Sequence, residues 1–208
     1  MTMKTTVVIT RPSGPYAGAR KLANKLSEKG FCPYEFPVLA CVPEELSRET
    51  RRLIEETLEL SGAWVAFLSP TAVHVFREVL ERYFPERKDM TGARVAAQGK
   101  GTAEAVVECF GRKPDFVPTV FMAEEFAKEF APHVKRGEQI LIPQSAEGRD
   151  LLAPMLQGAG KSAKSFSLYR LESALSDPER VDFLKELPAE KTVVVFMSPS
   201  AVKAAVKH

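Results

Sequence analysis

Apolar residues along this chain alternate between short, nearly continuous runs and stretches spaced three and four apart, the signatures of buried strands and one-sided helices. Residues 5–10 predict a strand, then a loop punctuated by Pro12, Gly14 and Pro15, then a helix to residue 29 with Leu22, Ala23 and Leu26 on one face. Residues 31–39 predict a second strand, which Pro33 and Pro37 assign to an edge or a crossover. An amphipathic helix over 44–60 precedes a strand over 63–68 and a helix over 70–84, with Val73, Phe76, Val79, Leu80 and Tyr83 inward. Next come strand 94–97, a turn at 99–102, helix 103–110 stopped by Gly111, a short strand at Phe116 and Val117, and helix 123–134 ending near Gly137. The last third predicts strand 139–143, helix 151–156 ended by Gly158 and Gly160, strand 164–171, helix 178–187, strand 192–197 and a helix from Pro199. Strands alternating with helices through short turns imply parallel α/β sheets.

Two of these strand-to-helix units are near-copies. Val65-Ala66-Phe67-Leu68-Ser69-Pro70-Thr71-Ala72-Val73 recurs as Val194-Val195-Phe196-Met197-Ser198-Pro199-Ser200-Ala201-Val202, 129 residues on. That offset is too long for a solenoid period and suits two related domains. Serine is a preferred N-cap, and proline is favoured at the first helical position, where its missing N–H costs nothing. The helix then offers free backbone N–H groups at the carboxyl end of a strand, where open α/β sheets bind ligands. The pairing predicts two similar half-sites facing one ligand.

Five turns carry polar residues at such positions: Thr10-Arg11-Pro12, Ser69-Pro70-Thr71, Gly99-Lys100-Gly101-Thr102, Gln144-Ser145-Ala146-Glu147-Gly148-Arg149 and Ser198-Pro199-Ser200. Any one of them alone reads as simple helix capping. Together, their hydroxyls and N–H groups with Arg11 and Arg149 suit carboxylates or phosphates. Gly99 to Thr102 is not a P-loop, because Lys100 stands between the glycines rather than after the second. Glu124 and Glu125 open a helix and read as dipole-complementing residues. His74, His133 and His208 have no Cys, Asp or His at ligand spacing, so no metal site is expected, and there is no Gly-x-Ser-x-Gly elbow. Tyr169, at the end of a strand near a domain crossover, reads equally as a packing aromatic or a proton donor.

Composition narrows the class. At 208 residues with 45% hydrophobic and 27% charged positions, the chain suits one large or two small globular domains, and the repeat favours two. No run approaches the ~18 apolar residues of a membrane span, and residues 1–10 lack a signal-peptide core, which makes the cytoplasm the default. A net charge of +2 argues against nucleic acid and tolerates an anionic small molecule. Cys32, Cys41 and Cys109 form no Cys-x-x-Cys pair and are expected as half-buried free thiols.

The motifs taken in order resemble the uroporphyrinogen-III synthase family. They are Val8-Ile9-Thr10-Arg11-Pro12, Phe67-Leu68-Ser69-Pro70-Thr71-Ala72-Val73, Ala96-Ala97-Gln98-Gly99-Lys100-Gly101-Thr102-Ala103, Ile140-Leu141-Ile142-Pro143 with Glu147-Gly148-Arg149 and Leu152, Leu168-Tyr169-Arg170, and Phe196-Met197-Ser198-Pro199-Ser200-Ala201-Val202. The resemblance implies two flavodoxin-like parallel-sheet domains joined by a two-strand crossover. The first would be discontinuous, over 1–36 and 173–208, with 43–165 as the second and 37–42 and 166–172 as linkers. It further implies a monomeric, cytoplasmic lyase of tetrapyrrole and haem biosynthesis, without cofactor, closing linear hydroxymethylbilane to uroporphyrinogen III with inversion of the last pyrrole ring and loss of water. The upstream bilane-forming enzyme is a candidate partner; nucleic acid and membrane are not. Thr10, Arg11, Ser69, Thr71, Thr102, Ser145, Arg149, Ser198 and Ser200 are then expected to bind the substrate, with Tyr169 as the general acid.

Two departures qualify the likeness. Gln98 stands where the family's Gly-x-x-Thr turn is preceded by a small or apolar residue. The chain also ends six residues after Val202, where the family continues through another such turn, so the first domain is expected to be incomplete and the softer of the two. A non-catalytic two-lobed binder of an anionic molecule is the alternative reading, and a phosphotransferase using residues 99–102 is a third, disfavoured by the missing Lys-Ser/Thr pair.

Overall fold

A computed structural model describes residues 4–12, 19–60, 62–175 and 178–206; Gly14, Pro15 and His208 lie outside them. The chain divides into two compact units, Met1–Val42 with Leu171–His208, and Pro43–Arg170. Its strands are β1 (Thr6–Ile9), β2 (Cys32–Glu35), β3 (Leu39–Pro43), β4 (Trp64–Phe67), β5 (Arg94–Ala97), β6 (Gln139–Ser145), β7 (Ser162–Ser173) and β8 (Thr192–Val195). The helices are α1 (Ala19–Glu28), α2 (Arg48–Glu59), α3 (Pro70–Tyr83), α4 (Lys100–Phe110), α5 (Ala123–Phe130), α6 (Leu152–Gly158), α7 (Pro178–Glu186) and α8 (Pro199–Val206).

A five-stranded sheet has the order β3-β7-β6-β4-β5, of which β4, β5 and β6 lie wholly within the larger unit. β4 pairs in parallel with both β5 and β6, and β6 pairs in parallel with β7. All four residues of β4 are buried because helices cover both faces, which is why its sequence is continuously apolar rather than alternating. One face packs Trp64 and Ala66 with Ile140, Ile142, Phe126, Phe130 and Leu156. On the other, Phe67 meets Phe76 edge-on at 5.6 Å and stacks with Phe110 at 6.3 Å. Burying each such phenylalanine contributes about 1.5–3 kcal/mol.

The smaller unit holds a parallel sheet of order β2-β1-β8. Val7 and Ile9 pack against Leu22, Ala23 and Leu26 of α1, the helix face expected from their spacing. On the opposite face Val8 joins Phe36, Val38, Leu39 and Ala201. β8 is an edge strand, and its Val193 and Val194 are about half exposed.

Several elements differ from expectation. The strand predicted over 31–39 is two strands, β2 and β3, in different sheets, with the chain turning at residues 36–38 beside Pro37. β2 does lie at an edge, as its proline predicts. The helix predicted from residue 44 begins at Arg48, because Ser47 caps it by accepting the Thr50 N–H at 3.1 Å. Residues 100–102 are the first turn of α4 rather than a separate turn. Phe116 and Val117 form no strand; Phe116 makes a single parallel bridge to Ala96. α5 stops at Phe130 and continues as a 3-10 turn over Ala131–His133, where Pro132 removes a helical donor. β6 runs two residues beyond its expected end, so Ser145 closes a strand. Cys32 is exposed, whereas Cys41 and Cys109 are half-buried free thiols. Tyr83 is half-buried, on the margin of the α3 face. The residues expected to link the two domains, 37–42 and 166–172, fall largely within the strands β3 and β7, as a two-strand crossover implies.

Candidate functional site

The carboxyl ends of the parallel strands gather the polar turns of the larger unit, because every parallel strand delivers its following residues to the same edge. In sheet order these are Tyr169 on β7, Ser145 at the end of β6, Ser69 after β4 and Gly99 after β5. Ser69 has extended backbone and its Oγ accepts the Ala72 N–H at 3.1 Å, the N-cap bond its Ser-Pro context predicts. The same Oγ lies 3.2 Å from the phenol oxygen of Tyr169, a contact that reaches across the end of β6. A register shift between Gln144 and Ser145 sets Ser145 opposite Tyr169. The Ala146 N–H then donates to the Tyr169 carbonyl at 2.8 Å, which fixes the backbone beneath the phenol. Tyr169 is buried, so its hydroxyl sits on the floor of this edge rather than in open solvent.

Next to Ser69, α3 and α4 begin side by side: a Cβ on Gly101 would meet Pro70 at 3.8 Å. Gly99 caps α4 without a side-chain bond, so the cap residue itself satisfies none of the first-turn amides. Thr71 is half-buried and Lys100 exposed at this junction. Gly99 adopts φ 124°, and the Phe121 ring lies 3.2 Å from where its Cβ would be. Gln98 donates from Nε2 to the Phe121 carbonyl at 3.3 Å, holding that loop over the start of α4. Phe121 and Met122 are more than half exposed there and form an apolar lip on a polar row. Sequence reasoning passed over them; the signal was three consecutive apolar residues, Val120-Phe121-Met122, with no periodicity to bury them.

Not every expected residue offers its polar group to a ligand. Ser145 donates to Glu147 Oε2 at 2.5 Å and accepts the Glu147 N–H, so it presents a carboxylate-bound hydroxyl rather than an anion site. Arg149 is exposed beyond it. Thr102 is buried within α4. In the smaller unit Thr10 is also buried, and its Oγ1 donates to the Val195 carbonyl at 2.8 Å, pinning β1 to β8. Arg11 is half-buried after it. Ser198 repeats the Ser69 cap, accepting the Ala201 N–H at 3.2 Å, with Ser200 exposed in the first turn of α8. Thr10 and Thr102 are thus buried, while Arg149 and Ser200 are exposed and Arg11, Ser69, Thr71 and Ser198 are half-buried.

Away from this edge, Cys109 Sγ lies 3.1 Å from His74 Nδ1, a helix-to-helix contact that residue spacing could not reveal. Burial and then the charge of Glu108 push this thiol up from its ordinary value, against an opposing pull from Arg77, so it is a poor nucleophile at neutral pH. Glu124 and Glu125 lie in the first turn of α5, and Glu125 pairs with Lys128. Among the described residues no three His, Cys, Asp or Glu side chains are grouped to hold a metal, and no helix is long and apolar enough to cross a membrane.

Capped helix N-termini and a buried phenol at the carboxyl ends of parallel strands define an α/β protein with a polar strand edge. Comparison with known proteins narrows this class. The family described as uroporphyrinogen-III synthase HemD has a model that matches residues 20–208. A curated protein of Methanocaldococcus jannaschii, provisionally named a uroporphyrinogen-III synthase, is 30% identical over 203 residues, covering 97% of this chain and 77% of its own. The solved uroporphyrinogen-III synthetase of Helicobacter pylori shares the fold with a TM-score of 0.61 at 16% identity, covering 99% of this chain and 78% of that one. A mutant uroporphyrinogen III synthase of Thermus thermophilus matches with a TM-score of 0.57 at 18% identity, covering 98% and 76%. The chain belongs to the uroporphyrinogen-III synthase family.

Proposed function

We infer that this protein is a lyase of tetrapyrrole biosynthesis that closes hydroxymethylbilane to uroporphyrinogen III, inverting the last pyrrole ring and releasing water. The observation that carries the reading is family membership over residues 20–208, which includes the whole polar edge of the larger unit. The edge suits the substrate's chemistry. Acetate and propionate groups are anions, and each helix N-terminus they meet contributes about 0.3–1 kcal/mol through the dipole. On this edge Thr71 and Arg149 supply side-chain donors, and Phe121 and Met122 supply apolar surface for pyrrole faces; in the smaller unit Ser198 and Ser200 offer hydroxyls of the same kind.

Tyr169 is the proposed general acid. Its phenol would protonate the hydroxymethyl oxygen as the C–O bond breaks, so that the leaving group departs as water and the electron-rich pyrrole carries the resulting cation. A bilane that closes spontaneously to the type I isomer favours direct delivery, so the upstream bilane-forming enzyme is the proposed partner and the cytoplasm the proposed compartment.

Isomer analysis tests the activity. Freshly made hydroxymethylbilane incubated with the protein should yield the type III macrocycle, and product that stays type I at every enzyme concentration would favour the alternative of a non-catalytic binder. Tyr169→Phe should lower kcat by at least about tenfold with little change in KM. Unchanged turnover in that variant would return Tyr169 to packing.

A further inference from the structure

Ser69 Oγ sits at a junction of two roles. It accepts the Ala72 N–H at the start of α3, and it lies within bonding distance of the Tyr169 phenol oxygen. A serine hydroxyl has one proton to give and two lone pairs to fill. With one lone pair engaged by an amide at the positive end of a helix, the oxygen becomes a weaker acceptor and its O–H a stronger donor, since hydrogen bonds in a chain polarise one another. Among the described residues no tyrosine bonds Ser198 in this way, although Ser198 makes the same cap. The phenol contact is therefore an addition to the cap and is not required by it.

We propose that Ser69 is a positioning residue for the ring-closing reaction, donating its hydroxyl proton to the Tyr169 oxygen and so fixing the phenol for proton transfer to the substrate. The proposal rests on the reading of Tyr169 as general acid. In the resting state the chain of bonds runs from the Ala72 N–H to Ser69 Oγ and from the Ser69 O–H to Tyr169. When Tyr169 gives up its proton to the departing hydroxyl, the Ser69 O–H and the helix terminus behind it stabilise the phenolate that forms. When water has left, the phenolate regains a proton from solvent or from the pyrrole that loses one on ring closure, and the cycle is complete.

Four variants separate this role from capping and from substrate binding. Ser69→Ala removes both bonds. Ser69→Thr keeps a hydroxyl in the extended backbone that the cap requires. Ser69→Asp keeps an excellent cap but has no proton to donate, and its carboxylate would accept the phenol's proton and turn it inward. Tyr169→Phe supplies the background for a double-mutant comparison. Ser69→Ala is expected to lower kcat about tenfold with KM unchanged, and Ser69→Thr to restore most of it. Ser69→Asp should keep the parent melting temperature yet turn over as slowly as Ser69→Ala. Adding Ser69→Ala to Tyr169→Phe should cost nothing further.

A rise in KM at constant kcat would make Ser69 a substrate contact and overturn the proposal. Full turnover in Ser69→Asp would reduce it to a cap, and multiplicative losses in the double variant would uncouple it from Tyr169. Either result, with Tyr169→Phe still impaired, overturns the role of Ser69 alone. Full turnover in Tyr169→Phe overturns the general-acid reading and this proposal together. Should Ser69→Ala fail to fold, the contrast between Ser69→Asp and Ser69→Thr, both capped, decides the matter.

Discussion

Ser69 and Ser198 stand 129 residues apart and make the same bond, each Oγ accepting the N–H three residues on, at 3.1 Å to Ala72 and 3.2 Å to Ala201. In both, the serine carbonyl also takes the next N–H, from Val73 and from Val202. Since a lost N-cap costs about 1 kcal/mol, Ser198→Ala should lower stability by about that amount, read from urea unfolding, and Ser198→Asp should restore it. A neutral Ser198→Ala would mean that α8 holds its start by packing alone.

Gly99 is fixed twice over, by its backbone conformation at φ 124°, ψ 175° and by the Phe121 ring 3.2 Å from where a Cβ would stand. Only glycine adopts that region without strain. Gly99→Ala should therefore cost about 1–3 kcal/mol and push the Phe121 loop off the start of α4. Adding Phe121→Ala should relieve the contact and leave the backbone strain. Thermal unfolding of both variants checks this, and a Gly99→Ala protein as stable as the parent would overturn it.

Glu138 gives the larger unit a defined response to acid. Burial disfavours its charge, but the Lys135 N–H, the Arg94 guanidinium and the Trp64 indole N–H all bond the carboxylate, and the net effect holds it below the ordinary value of 4.5. A carboxyl whose value is lower folded than unfolded stabilises above the unfolded value, and that contribution fades as pH falls through the folded one. Glu138→Gln should lose about 1–3 kcal/mol at pH 7 and nearly nothing once both proteins are well below pH 4. A difference that persists unchanged in urea unfolding at low pH would contradict the assignment.

β4 and β8 lead into the same Phe-x-Ser-Pro turn and have very different surroundings. β4 lies between β5 and β6 with every residue buried, whereas β8 is an edge with Val193 50% and Val194 47% exposed. Local opening follows burial and pairing. Amide exchange should be faster over Thr192–Val195 than over Trp64–Phe67, and equal protection of the two strands would refute this.

Much of the fold was legible because its rules are local. Short continuous apolar runs marked β1, β4 and β5, the 3.6-residue spacing marked α3, Gly111 marked the end of α4, and Ser-Pro marked the start of α3 and α8. The misplacements came where tertiary pairing overrides pattern. Residues 31–39 read as one strand because proline only weakens a strand, whereas partition into two sheets depends on which neighbours are present. Phe116 and Val117 have strand character but find only one bridging partner.

The site divides along the same line. The sequence by itself determined the family, the alternation that makes parallel sheets, and the capped turns after β4 and β8, since capping and periodicity act within a few residues. Only the tertiary structure decided what each hydroxyl faces. Thr10, Thr102 and Ser145 carry the same kind of group as Ser69, yet Thr10 is spent on the Val195 carbonyl, Thr102 is buried in its helix and Ser145 is held by Glu147. Ser69 alone of these reaches the Tyr169 phenol, 100 residues along the chain, because parallel pairing through β6 sets β4 and β7 to end at one edge. That coincidence is a property of strand order and register, which no local pattern encodes.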